Sequence, residues 1–282
     1  MSDIHLRAYL MSLRGDDIET IAAELGVDVP TVERALEDAA RARAGMVADI
    51  RQAVQLEQSA LPPAFTTRDG LVVRLEPDLT AAGPPDHRRV AVGGLAFGGF
   101  DPVARVIDDA RRTGTSPMAE ILTTAGRLDH AAVLARLWHD GQPIDDEPEA
   151  YGIFDEARPS VPPPPIPTRI APRAIAFVPV ASQEEVLAAL GWGGWNACPG
   201  PAEHVAILRH WGRSYGAQLR AMSNDTLEFD VPNPPTTFEA ALALAREQYA
   251  YAGDIVVQGE HDTIGALGAA LVNSRHWHFW WD

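Results

Sequence analysis

Seven of the residues between Ala157 and Arg173 are proline: Pro159, Pro162, Pro163, Pro164, Pro165, Pro167 and Pro172. Proline has no amide donor and a fixed φ, so such a run can join neither a helix interior nor a central strand. The segment 157–173 therefore reads as an extended polyproline linker that divides the chain, with a PxxP-type ligand as its functional alternative. Before it, residues 1–58 are rich in Ala, Leu, Glu and Arg and read as a helical module, while 64–150 mixes strand-like and helix-like stretches. After it, 174–282 alternates strand and helix signals and reads as a compact domain. The expected fold class is α+β and multi-domain, with a helical N-terminal module, a mixed middle segment, and a C-terminal α+β domain carrying an antiparallel sheet.

Several chemistries are excluded by what the 282 residues lack. All 23 basic residues are Arg, and no Lys occurs. That removes the phosphate-binding Lys of a P-loop, the Schiff-base Lys of aldolases and pyridoxal enzymes, and the nucleotide-binding Lys of kinases. Arg cannot replace a nucleophilic amine because it stays protonated. An absence of Lys beside abundant Ala, Arg, Gly and Pro points to a GC-rich bacterial source. Cys198 is the one cysteine, so neither an intrachain disulfide nor a zinc site with two thiolates can form. No apolar run reaches the ~20 residues that span a bilayer. The start, MSDIHLRAYLMSLRGDD, lacks the pattern of a signal peptide, so a cytoplasmic protein without membrane partners is expected. The net charge of −16 repels polyanions over most of the surface.

Residues 17–36, DIETIAAELGVDVPTVERAL, resemble a bacterial helix-turn-helix. Ile18, Ile21, Ala22 and Leu25 share one face, Gly26 supplies the turn, Asp28 caps the second helix, and Val32, Ala35 and Leu36 pack back. The would-be reading helix sets Arg34, Arg41 and Arg43 against Glu33, Glu37 and Asp38, so charge disfavours nucleic acid and a docking or dimerisation role comes first. Further on, VAVGGLAFGGFDPVARVIDDARR suggests a strand, a glycine loop and a helix starting at Asp101-Pro102. Its glycines, Gly93, Gly94, Gly98 and Gly99, match neither phosphate-loop spacing. Helices are expected near 117–125 and 129–139.

In the C-terminal part, AIAFVPV (174–180) reads as a strand. Ser182 and Glu185 form a capping box for a helix over 183–190 that Gly191 ends. A helix over 201–215 buries Val205, Leu208, Trp211 and Tyr215. QLRAM and TLEFDV make a hairpin about Ser223-Asn224-Asp225, with Leu227, Phe229 and Val231 inward and Thr226, Glu228 and Asp230 outward. Thr236 and Glu239 cap the next helix, another starts near Thr263, and HWHFWWD closes as a strand. The motifs GWGGWNACP, PPTTFEAALALAREQYAYAGDIVVQG and WHFWWD, over roughly 176–282, resemble the bacterial family known as domain of unknown function 4253. The resemblance implies homology without an activity to carry over. Members often have Cys-Pro where this chain has Ala252-Gly253, so any role of that cysteine is absent.

Glu247, Tyr251, Asp254 and Gln258 fall at i, i+4, i+7 and i+11, one face of a continuous helix. With Trp195 and Asn196 from the tryptophan-flanked loop and with Trp281 and Asp282, they make a candidate pocket with paired carboxylates for acid–base work or a hard cation. The alternative is structural: Asn196 and Asp254 satisfy backbone groups, and Glu247 bonds an indole N–H. His276 and His278 share a strand face and are weak metal candidates; no metal or other cofactor is expected. Cys198 and His204 lie close enough in sequence for a nucleophile pair, although a small buried thiol is the plainer reading. Three functions follow. The first is a non-catalytic interaction or regulatory protein that docks a protein partner through its aromatic C-terminal domain, as in bacterial defence or immunity. The second is an enzyme or small-ligand binder using the candidate pocket. The third is a DNA-binding regulator working through 1–58.

Overall fold

The structure, a computed structural model, describes residues 17–38, 61–94, 101–113, 115–140 and 152–282. They fall into two compact units, one holding 17–38 and Asp101 and the other the remainder. In the first, helix α1 (Ile18–Leu25) starts where the Asp17 carboxylate accepts the Thr20 amide at 2.7 Å. It stops at Gly26, whose φ of 69° suits a residue without Cβ. Asp28 accepts the Thr31 amide at 3.0 Å, and a second helix, α2, covers 29–38. Ile21, Ala22, Val32 and Ala35 are buried between them.

The second unit is built on one seven-stranded sheet ordered β1-β2-β4-β3-β5-β6-β7. The strands are β1 (Ala64–Thr66), β2 (Val72–Glu76), β3 (Arg88–Gly93), β4 (Pro172–Val178), β5 (Gln218–Met222), β6 (Thr226–Asp230) and β7 (His276–Trp280). Every neighbouring pair is antiparallel except β3 with β5, so the sheet is mixed rather than purely antiparallel. The proline segment does not separate two sheets. Residues 157–171 are free of helix and strand, but Pro172 and Arg173 already belong to β4, which lies between β2 and β3. The strands of 64–150 and those of 174–282 therefore share one hydrogen-bonded ladder.

One face of this sheet is covered by helices: α3 (Pro102–Arg111), α4 (Met118–Ala125), α5 (His130–Asp140), α6 (Glu185–Leu190), α7 (Pro201–Tyr215), α8 (Phe238–Tyr251), α9 (Asp254–Val257) and α10 (Ile264–Leu271). Val90, Val92, Ala176, Leu227, Phe229, Trp277 and Phe279 bury against residues of these helices in the main core. The residues of opposite parity, Ala91, Ile175, Phe177 and Ala221, form a smaller cluster with Ile170 on the other face. There the cover is irregular chain. Gly83 lies so close to the Phe177 ring that a Cβ would fall 2.1 Å from it, so only glycine fits.

That irregular cover explains why Glu228 departs from its expected outward position. It is fully buried, and its Oε1 accepts the amides of Arg169 at 2.6 Å and Ile170 at 2.9 Å. Prolines offer only acceptors, and histidines meet them: His261 Nε2 lies 3.0 Å from the Pro164 carbonyl and His276 Nε2 lies 3.1 Å from that of Pro167. Two caps also shift. Glu185 takes the Ala181 amide rather than that of Ser182, and the cap of α8 is Thr237, which accepts from Ala240 at 3.3 Å. Thr263 caps α10 as expected. Among the described residues no helix is long and apolar enough to cross a membrane.

Candidate functional site

The loop after α6 is shaped by backbone that few residues adopt. Gly191, Gly193 and Gly194 have φ of 62°, 106° and 85°, and Asn196 joins them at 46°. Gly193 is also a contact point, since a Cβ there would fall 2.4 Å from the Pro199 carbonyl oxygen and 2.6 Å from His204 Nε2. The loop thus lays its backbone against the His204 ring, and the tryptophans on either side of the glycines pack edge-on, Trp192 to Trp195 at 4.8 Å. Trp192 meets Trp281 at 5.5 Å, and Trp281 meets Tyr251 at 5.2 Å. This aromatic block is the wall behind the site.

Helix α8 does not run on through Gly253. Ala252 leaves the helical region at φ −150°, ψ 83°, and α9 starts afresh at Asp254. The break leaves the Tyr251 carbonyl without a helical donor, and the Trp281 indole N–H supplies one at 3.2 Å. The stripe of Glu247, Tyr251, Asp254 and Gln258 is therefore split. Glu247 lies apart from the others, accepting from Trp211 Nε1 at 2.8 Å with His210 Nε2 at 3.5 Å. Gln258 is exposed at the end of α9.

The rest of the expected set converges. Asn196 Nδ2 donates to the Asp282 backbone oxygen at 2.6 Å, and the Asp282 amide donates to Asp254 Oδ2 at 3.0 Å. Asn196, Tyr251 and Asp254 line one cleft of about 520 Å³. The sequence reading missed its opposite wall, Arg136, Leu137 and Trp138 of α5, along with Glu203, Tyr249 and Val257. Arg136 pairs with Glu203, whose other oxygen accepts the Gly200 amide at 2.9 Å at the start of α7. Trp138 packs edge-on to Tyr249 at 5.2 Å. The Tyr249 hydroxyl is buried and has no hydrogen-bond partner among the described residues.

Behind the cleft a buried chain runs from Cys198 Sγ to His204 Nε2 at 3.5 Å and from His204 Nδ1 to the Tyr251 hydroxyl at 2.7 Å. Burial pushes the thiol and the phenol up and brings the imidazole down to about 3. All three are neutral near pH 7. The ring is satisfied with its proton on Nε2, facing the Pro199 carbonyl, while Nδ1 accepts from Tyr251. A nucleophilic cysteine needs a thiolate, and this environment opposes one.

His276 and His278 do not act as a pair. The first is turned to Pro167, while burial holds the second down to about 4. Among the described residues no group of three or more His, Cys, Asp or Glu side chains is gathered tightly enough for a metal. On α2, Arg34 is exposed between exposed Glu33 and Glu37, while Arg41 and Arg43 lie outside the described residues. No curated protein and no solved structure matches the chain. Residues 174–282, from within β4 to the end of the sequence, match the family model described as Domain of unknown function (DUF4253).

Proposed function

We propose that the chain is a non-catalytic binding protein of the cytoplasm, whose cleft between α5 and the α8–α9 break takes a small molecule. The ligand has an apolar body and a primary amine or hydroxyl end. The observation that carries this reading is the cleft's unspent polar capacity: among the described residues the buried Tyr249 hydroxyl has no partner, and Asp254 is bonded only through Oδ2. A volume of about 520 Å³ lies within the ordinary range of small-molecule sites. Trp138, Leu137 and Val257 offer an apolar seat, and the Asp254 carboxylate is an anchor for an amine. The protonated Cys198 thiol favours binding over covalent catalysis.

The docking of a protein partner, with a role in bacterial defence, loses its motive in the tryptophans. Trp192, Trp211, Trp277 and Trp281 are core residues, leaving Trp195 and Trp280 half-buried. DNA binding through 1–58 keeps only the exposed Arg34 among the described residues in its support. The test is saturation-transfer NMR of the full chain with a set of primary amines bearing aromatic or branched aliphatic bodies. Binding that disappears in both Trp138→Ala and Asp254→Asn, at unchanged Tm, is the expected result. If no amine binds, or if binding survives both substitutions, the reading is wrong.

A further inference from the structure

A second concavity, apart from the cleft, has the opposite electrostatic character. It is an open groove of about 790 Å³ between the C-terminal half of α7, the start of β3, residues 181–184 and strand β5. Arg88, Arg89, Arg209, Arg213 and Arg220 all line it. The protein as a whole carries −16, and residues 174–282 contain 12 acidic residues against 5 Arg. Three of those five arginines are in this groove, so chance scatter of charge is a poor account of it.

The local pairing leaves charge over. Arg209 stands 3.5 Å from Glu184, and Arg220 is 3.9 Å from Glu228 and 4.0 Å from Asp230. Arg88 donates to the Ala181 carbonyl and Arg89 to that of Leu79, which orient the guanidinium groups without neutralising them. Arg213 is exposed, and no carboxylate among the described residues bonds or pairs with it. Arg88 and Arg213 therefore carry charge in this groove that no carboxylate among the described residues pairs, whereas the Arg89 guanidinium is turned to Leu79, outside the lining. Arg220 owes its place to a bulge, where β5 slips register against β6 between Leu219 and Ala221, a device that re-aims a side chain at a sheet's surface. Gly212 and Gly216 keep the α7 wall low. Ser182 is in the same lining, and its hydroxyl, screened from solvent, has no hydrogen-bond partner among the described residues.

We infer that this groove binds a small polyanion of linked phosphates, held by Arg88 and Arg213 with Arg209 beside them. Guanidinium forks pair bidentately with phosphate oxygens, and guanidinium groups set along one groove match a ligand whose negative charges are linked in a row. Among the described residues the lining holds no Phe, Tyr or Trp, so a nucleobase has no stacking platform there and recognition falls on the phosphates.

Isothermal titration of the full-length chain with inorganic triphosphate tests this. The expected result is saturable one-to-one binding at low ionic strength that weakens as salt is added. Arg213→Glu is expected to weaken binding at least about tenfold, as the loss of charge-assisted bonds requires, with Tm unchanged. Arg127→Glu, an equal charge change on an exposed residue outside the groove, is expected to leave it unaffected. Citrate, with three carboxylates, is expected to compete weakly; if it matches triphosphate, the phosphate assignment is overturned. Absence of triphosphate binding at low salt overturns the proposal. So does equal sensitivity to Arg127→Glu, or binding of a single-stranded oligonucleotide in place of triphosphate.

Discussion

The two faces of the sheet are held by different physics. On the helix-covered face, large side chains interlock: Trp211 stacks on Phe279 at 5.4 Å and meets Trp277 edge-on at 5.6 Å, all three fully buried. On the other face the cover is proline-rich chain that cannot form a ladder of its own. It is fastened by acceptors and donors spaced along it, with Glu228, Glu260, His261 and His276 meeting Arg169, Ile170, Pro164 and Pro167. Apolar packing is non-directional and tolerates small shifts, whereas the polar fastening depends on each partner being present. The first face sets most of the stability; the second sets where one irregular segment lies.

Truncation of a core ring should have the largest effect. Trp211→Ala is expected to cost about 3–5 kcal/mol in denaturant unfolding, since it removes buried area and strands Glu247 without its indole donor. A cost no greater than that of cutting one polar fastening would break the contrast between the faces. Acid comes next. His204, on the helix face, and His278, beneath the proline segment, are held down to about 3 and about 4 by burial, with Arg169 and His276 adding to the effect on His278. The unfolded chain takes up these protons first, near pH 6.5, so the stability is complete above that pH and is lost as pH falls toward 4. The loss is on the order of 3 kcal/mol per residue at the acid end. His278→Phe is expected to remove about half of the pH dependence of the unfolding free energy, and an unaltered slope would show that His278 is not buried neutral.

The smallest effect belongs to the fastening itself. Glu228→Ala leaves two amides without an acceptor and is expected to cost about 2 kcal/mol, with Glu228→Gln milder because one carbonyl oxygen remains. Hydrogen exchange sharpens the comparison. The amides of Arg169 and Ile170 should lose protection in Glu228→Ala while those of the α8 core keep theirs, and uniform loss would mean that the two faces unfold as one.

Much of the candidate site was legible in the residues, and the part that was not has a definite cause. Asn196, Tyr251, Asp254, Trp281 and Asp282 were singled out from a helical stripe and an aromatic-flanked loop, and hydrogen bonds or the cleft wall link them. Glu247 was drawn in by the same spacing and belongs elsewhere, because Ala252 interrupts the helix between it and Asp254. The tryptophans at the end of the chain carried a surface reading, yet composition cannot tell a hot spot from a core, and burial settles that Trp277 and Trp281 are core. Arg136 and Trp138 gave no signal, since their contribution comes from beyond the proline segment and no local pattern links α5 to Tyr249.

What the residues determine alone is local: helix starts at Asp17, Pro102 and Thr263, helix stops at Gly26 and Gly191, the hairpin at Ser223, and the lack of helix and strand over residues 157–171. These follow from φ preferences and from caps that act within four residues. Tertiary structure decided the rest. It set β4 between β2 and β3, merging two expected domains into one sheet, and it buried Glu228 beneath chain from 58 residues away. It also gathered arginines from β3, α7 and β5 into one groove on an acidic protein. Each of these depends on which segments meet across long stretches of chain, and long-range pairing is governed by the packing of the whole core rather than by any window of sequence.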